Sequence, residues 1–345
     1  SAQTIDSFAA RNTTYSSSDS TTHTAKIGAY AEASAGVSAE AQAGPNASKP
    51  KSESGAGAGI RASYEYENST SASSSSTAVT SGIKMGGSVN STSSGKTTME
   101  GTQIQAGKDV NLAASSLDYQ AAKNTSSSSS KDTSANATVS VDLVKKEVGV
   151  GVGYEGNKSS ESSSTAVVGG IVAGGNLSVK TSGDTRFEGT QIAAGGAATV
   201  DAGGSVKFDA AKNTATSSKE GLAVSVEVSG GKSGGSGEAG VGYSKSNASL
   251  DQDVAGSITS GSGPLTIKSG GDASFTGTQI GSTSGNVTVA AGGNIDMKAA
   301  RTVEHSDSLG VDVSASASGG KDSKGGTKNA TTGNKSGETE VDQRA

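Results

Sequence analysis

One stretch recurs at a fixed step. Met99-Glu100-Gly101-Thr102-Gln103-Ile104, Phe187-Glu188-Gly189-Thr190-Gln191-Ile192 and Phe275-Thr276-Gly277-Thr278-Gln279-Ile280 are evenly spaced, since 189 − 101 and 277 − 189 are both 88. A long constant period means that the unit of construction is a repeat, so the fold must be one in which copies stack.

Composition narrows what a repeat can build. Hydrophobic residues are 31% and aromatic residues 3%, below the globular average, which leaves bulk only for a thin core. Gly is 51 of 345 while Pro is 3 (Pro45, Pro50, Pro264), and Gly without Pro suits tight turns between strands. A shorter period of 21 residues separates Val179 from Val200 and Phe187 from Phe208. Phe275 is echoed by Met297 at 22 residues, and Met99 by Tyr119 at 20. The triplets Leu177-Ser178-Val179 and Ala198-Thr199-Val200 alternate as short strands do, and Gly pairs bound them. This predicts an all-β fold, a parallel β-solenoid (β-helix) with rungs of about 21 residues. The predicted columns are Phe187 on Phe208, Val179 on Val200, Phe275 on Met297 and Met99 on Tyr119.

A second signal follows the rungs: Ala9-Ala10-Arg11-Asn12-Thr13, Ala121-Ala122-Lys123-Asn124-Thr125, Ala210-Ala211-Lys212-Asn213-Thr214 and Ala299-Ala300-Arg301-Thr302. Beyond it the chain runs through Ser and Thr into clean alternation, as in Val139 to Tyr154 or Leu222 to Val228 followed by Val241 and Tyr243. Two alternating runs around a polar loop predict a β-hairpin arm with one apolar face. An isolated hairpin is marginal in water, so that face calls for a bed, either the side of the solenoid or a neighbouring arm. The expected organisation is the end of a truncated repeat (1–14), a long hairpin insertion (15–82) with a loop from Ala43 to Ser54, rungs (83–125), an arm (126–168), rungs (169–214), an arm (215–257), rungs (258–302), an incomplete hairpin (303–318) and a disordered tail (319–345). Ser1 in place of an initiator Met, without a signal peptide, reads as part of a longer chain.

Chemistry is sparse. Lys plus Arg is 28 against 33 Asp plus Glu, and the charges are scattered, so no stripe argues for nucleic acid and no cluster for an anionic membrane. Cys is absent, which suits a secreted bacterial protein as well as a reducing compartment. His23 and His305 lie in dissimilar polar stretches and read as solvated loop residues. No catalytic, cofactor or metal residue is predicted. The rows Gly101-Thr102-Gln103-Ile104, Gly189-Thr190-Gln191-Ile192 and Gly277-Thr278-Gln279-Ile280 read as a structural motif, with Thr and Gln satisfying backbone groups at a turn. Asp184, Arg186, Glu188, Asp201, Lys207 and Asp209 fall on adjacent rungs. That placement keeps open a polysaccharide-acting β-helix enzyme using Asp184, Asp201 and Asp209, although an outward polar face explains the same residues. A disordered low-complexity linker is the third alternative.

The linked motifs Glu-Gly-Thr-Gln-Ile, Ala-Gly-Lys-Asp-Val-Asn-Leu (106–112), Gly-Gly-Asn-Leu-Ser-Val (174–179) and Ala-Ala-Lys-Asn-Thr together resemble the hemagglutinin repeats of two-partner-secretion exoproteins, the filamentous hemagglutinin and CdiA-type contact-dependent growth inhibition proteins. The resemblance covers roughly residues 1 to 315. It implies a β-helical filament on the bacterial cell surface, exported through an outer-membrane two-partner-secretion transporter. It further implies adhesion, or toxin delivery with passage across a target cell's outer membrane. The expected partners are that transporter and the target-cell surface, without nucleic acid. The resulting expectation is a non-enzymatic structural repeat segment of a rod-shaped exoprotein.

Overall fold

The computed structural model describes residues 2–33, 56–232, 234–320 and 327–344. These residues form strands and turns without a helix, in three parallel sheets and one antiparallel sheet. Strands are numbered in chain order. The first parallel sheet contains β4 (Gly82–Met85), β7 (Gln103–Ala106), β12 (Gly170–Ala173), β15 (Gln191–Ala194), β20 (Gly256–Ser260) and β23 (Thr278–Ser282). The second contains β5 (Val89–Thr92), β8 (Val110–Ala114), β13 (Leu177–Thr181), β16 (Ala198–Ala202), β21 (Leu265–Ser269) and β24 (Val287–Ala291). The third contains β1 (Ile5–Ser7), β6 (Lys96–Glu100), β9 (Ser116–Gln120), β14 (Thr185–Glu188), β17 (Val206–Asp209), β22 (Ala273–Thr276) and β25 (Ile295–Lys298). The chain visits the three sheets in the same cyclic order, and each sheet stacks its strands in chain order. That is the arrangement expected of a parallel β-helix.

Alternation then fixes the core, because every second side chain of a strand points inward. Met99 pairs with Tyr119, Tyr119 with Phe187, Phe187 with Phe208, Phe208 with Phe275 and Phe275 with Met297. The rings stack, with centroids 4.8 Å apart for Phe187–Phe208 and 5.5 Å for Phe208–Phe275. Val179 pairs with Val200 on the second sheet. The first sheet supplies a further column, which takes in the isoleucine of the repeated motif: Ile104, Ile171, Ile192, Ile258 and Ile280 lie in register. The first four of these are buried.

The antiparallel sheet is built from the arms. Its order is β2 (Ala10–Ala33), β3 (Ala56–Val79), β10 (Ala122–Asp142), β11 (Glu147–Val167), β18 (Ala211–Gly231), β19 (Gly234–Val254), β26 (Arg301–Gly320) and β27 (Thr327–Arg344). Each arm pairs with itself and with the next arm, as in β11 against β18 from Glu147↔Gly231 to Ser164↔Thr214. The reason is commensurate spacing. An arm adds two strands and so advances about 9.6 Å, the same as two rungs at about 4.8 Å each. An arm inserted every second rung therefore meets its neighbour in register, and the arms join into one fin.

Two expectations change here. The arms do find neighbours, but edge to edge, so their apolar faces are not covered by either proposed bed. The incomplete hairpin (303–318) and disordered tail (319–345) do not describe the end of the chain, because β26 pairs with β27 from Arg301↔Arg344 to Ser318↔Thr327. Backbone pairing against an offered edge does not require apolar side chains, which is why the polar tail gave no strand signal. The Ala43–Ser54 loop and residues 321–326 lie outside the described residues.

Candidate interaction surface

The repeated motif lies where the fin meets the solenoid. Gly101, Gly189 and Gly277 close the corner from the third sheet to the first, with φ of 60°, 61° and 57°. One rung later the same corner opens into an arm, and the alanine of the Ala-Ala-Lys/Arg signal sits over the glycine. A Cβ on Gly189 would come within 2.7 Å of Ala211 Cβ and 2.8 Å of Val168 Cγ1, and one on Gly277 within 2.7 Å of Ala300 Cβ. The two sequence signals thus meet as one joint. Thr102 and Thr190 are buried there, and Thr190 Oγ1 donates to Glu188 O at 3.3 Å. Thr278 Oγ1 donates to Thr276 O at 3.2 Å. Gln103 Nε2 donates to Val168 O (3.0 Å) and Gln191 Nε2 to Ala255 O (2.9 Å), holding the returning strand of each arm. Gln279 lies in register with Ser257 on the first sheet. Asn124 Oδ1 accepts from Ala78 N at 2.7 Å and Asn213 Oδ1 from Ala166 N at 2.8 Å. These bonds continue the interarm ladder one step past its last backbone pair. The Ala-Ala-Lys-Asn-Thr pattern marks both asparagines but does not by itself reveal this role.

The carboxylates of the enzyme alternative are occupied or apart. Asp184 Oδ1 accepts from Ser205 N at 2.7 Å, capping a corner. Asp201 lies on the second sheet, in register between Lys180 and Lys268. Asp209 Oδ2 accepts from Arg186 Nε at 2.8 Å on the third sheet. Arg186 also pairs with Glu188 (3.0 Å) and Asp118 (3.5 Å), and Lys96 with Asp118 (2.9 Å). Burial alone would raise the Asp118 carboxyl, but hydrogen bonds from Lys96 and Gln120 and the charges of Lys96 and Arg186 hold it below its ordinary value. This is a neutralised outer face. Free paired carboxylates across a cleft, which glycoside cleavage needs, are not what these three form. Among the described residues no group of three or more His, Asp or Glu could hold a metal ion, and no helix is long and apolar enough to cross a membrane.

The fin presents the larger surface. Paired residues of neighbouring strands share a face, so the register defines rows across it. One row reads Ile27, Ala62, Val139, Val150, Val228, Gly237, Ala317. The next reads Ala25, Tyr64, Ala137, Val152, Val226, Ala239, Ala315, and the third His23, Tyr66, Ala135, Tyr154, Val224, Val241, Val313. Flanking these are a row with Ile60, Val141 and Val148 and a row with Leu222, Tyr243 and Val311. The opposite face carries Glu65, Asn136, Gly153, Ser225 and Gly240 in one row, and Thr138, Gly151, Glu227 and Glu238 in another. The outer half of the fin is therefore apolar on one side and Gly, Ser and acid on the other. Its apolar side chains stay open to solvent, Val152 at 50% and Val228 at 55%. Both histidines sit on strands of the fin and not in loops: His23 Nδ1 shares a 2.6 Å hydrogen bond with Tyr64 Oη, and His305 lies on β26.

A stacked parallel coil carrying a fin of arms defines a class of protein, a β-helical repeat rod whose surface is made by its insertions. The chain belongs to the hemagglutinin-repeat family of two-partner-secretion exoproteins: the family Hemagglutinin repeat matches residues 62–220 and 150–301. It is also 32% identical over 268 residues to a hemolysin of Serratia marcescens, an alignment covering 73% of this chain and 16% of that protein's length. No solved structure matches.

Proposed function

We propose that this segment is a non-enzymatic structural part of a secreted, cell-surface exoprotein, and that its fin acts at a target cell's outer membrane during contact-dependent toxin delivery. Family membership supports a secreted repeat exported by two-partner secretion through an outer-membrane transporter. We further infer that the working module is two rungs of about 21 residues plus one arm, with the Gly-Thr-Gln-Ile rows as its structural joint.

The observation that carries the membrane reading is the one-sided apolar wall. Its five rows, from Ile60–Val141–Val148 to Leu222–Tyr243–Val311, stand about 6.8 Å apart, giving a band about 27 Å tall. Outer-membrane barrel walls carry an apolar band of about 25 Å bordered by aromatic residues. Here Tyr66, Tyr154 and Tyr243 lie in the two rows on the band's root side, and Tyr64 in its middle row. Adhesion is the second reading, since an uncovered apolar face can equally grip a surface protein.

The chain has no Trp, so one introduced residue reports alone. Val226→Trp should shift its emission to the blue when vesicles of phosphatidylethanolamine, phosphatidylglycerol and lipopolysaccharide are added, and Ser225→Trp on the opposite face should not. Unchanged emission from both variants would remove the membrane reading and leave adhesion.

A further inference from the structure

The same face poses a problem in water that holds whatever the target turns out to be. Five rows on seven strands, β2 to β26, span about 27 Å by about 29 Å, or roughly 800 Å². The largest apolar patch of a typical monomer is about 300–600 Å². The patch is also free of charge: none of its rows contains Asp, Glu, Lys or Arg. In a chain that is 18% charged, about six would fall there by chance, and depletion of charge is the compositional mark of an interface core. The charges resume at the borders. Lys131, Lys158, Glu220 and Lys245 form the next row toward the root, and Lys145 and Lys146 stand at the tip of the arm. An apolar centre inside a charged rim is the anatomy of a protein–protein contact.

We propose that in solution this face is covered by the same face of a second copy of the chain, two fins packing into a sandwich. The area decides for that occupant. A stable pair needs about 800 Å² from each partner, and the patch supplies that amount. Two sheets of this kind pack about 10 Å apart with their apolar rows interleaved. The occupant must itself be flat and uncharged over this whole area and apolar over most of it, and the chain's own fin meets those requirements, with Thr21, Asn68 and Thr133 at one root-side corner. The acidic Gly/Ser face then points outward on both sides of the pair. The proposal does not depend on the membrane reading. It concerns the state before any target is met, and it holds or fails in lipid-free buffer.

A two-fold pair makes a sharp geometric demand. A residue at the centre of a self-complementary patch faces its own copy. Val152 lies on the fourth of the seven strands and in the third of the five rows. The chain has no Cys, so Val152→Cys and Ser225→Cys on the opposite face can be compared without background. In oxidised glutathione, Val152→Cys should form the cross-linked pair about a hundredfold faster than Ser225→Cys, because pairing raises the local thiol concentration from about ten micromolar to about a millimolar. Sedimentation across a dilution series should show the unmodified chain as a pair. Val152→Lys should be a single copy with unchanged circular dichroism, since Val152 is half exposed in the single copy, while Ser225→Lys should remain paired. A chain that sediments as one copy throughout overturns the proposal, as does equal cross-linking of the two thiols or a Val152→Lys variant that stays paired. A single copy in buffer that nonetheless gives the blue shift on vesicles overturns it in favour of lipid as the occupant.

Discussion

The solenoid and the fin advance along the same axis at the same strand spacing, yet opposite means hold them. In the solenoid the strands are parallel, and between the end rungs one face of each is sealed. Phe187 is 1% exposed, and the Ile, Val and Phe columns run unbroken through the rungs. In the fin the strands are antiparallel, and beyond the root alanines Ala122 and Ala211 the described side chains stay at least partly open to solvent. Its order comes from the backbone ladder, which is long because the arms of β10 and β11 are 21 residues each. The difference teaches a division of labour. The solenoid supplies stability and a fixed spacing, and the fin uses that spacing to hold open a surface that could not persist as an isolated hairpin.

That division is broken most directly by removing a ring from the column. Phe187→Ala takes away the ring stacked between Tyr119 and Phe208 and should cost about 3–5 kcal/mol, lowering the denaturant midpoint without changing its slope. In the fin, Val150→Ala, at a position 46% exposed, should change the stability of the single copy by less than about 0.5 kcal/mol. Chemical denaturation read by circular dichroism checks both. Equal effects would mean that the fin contains a core of its own.

The joint between the two regions is the next point of attack. Gly189→Val forces a β-branched residue into a left-handed conformation and drives its Cβ against Ala211 and Val168. The expected cost is about 2–3 kcal/mol. It should be accompanied by faster amide exchange at the root of the arm Ala211–Val254, while exchange in the columns of the neighbouring rungs stays slow.

The columns were legible from sequence because a thin core allows few positions for large side chains, and the chain places its four Phe residues almost entirely there. Phe187 on Phe208 follows from alternation and a constant step. The arms were legible as hairpins from Val139 to Tyr154. Their union was not, because it depends on matching two arm strands to two rungs, a relation between distances that no local pattern carries. Ile104 and Ile192 were hidden for a different reason. Each stands beside a conspicuous Gly-Thr-Gln turn, and a lone Ile in a four-residue strand gives no periodicity. The pairing of β27 was hidden because an edge strand can be recruited by backbone bonds alone. Of the interaction surface, the apolar alternation was visible residue by residue, but its gathering on one face and the absence of charge across it required the register.

Smaller effects sharpen where one region ends and the other begins. Asn213→Ala removes the acceptor for Ala166 N where the interarm ladder stops, and should cost about 1 kcal/mol. Hydrogen exchange should then rise at Ala166 and its strand neighbours and nowhere in the columns.

The smallest effect belongs to the solenoid's outer face. The folded Asp118 carboxyl is held below its ordinary value of 3.8, so the unfolded chain takes up its proton first as the pH falls. The stabilisation is complete above that ordinary value and is lost as the pH drops through the lowered one. Because Lys96 and Arg186 are partly solvated, the loss should stay under about 1 kcal/mol. Asp118→Asn should therefore be less stable than the parent chain near neutrality, and the gap should close on acidification. A gap that stays constant with pH would show that Asp118 acts through its hydrogen bonds alone.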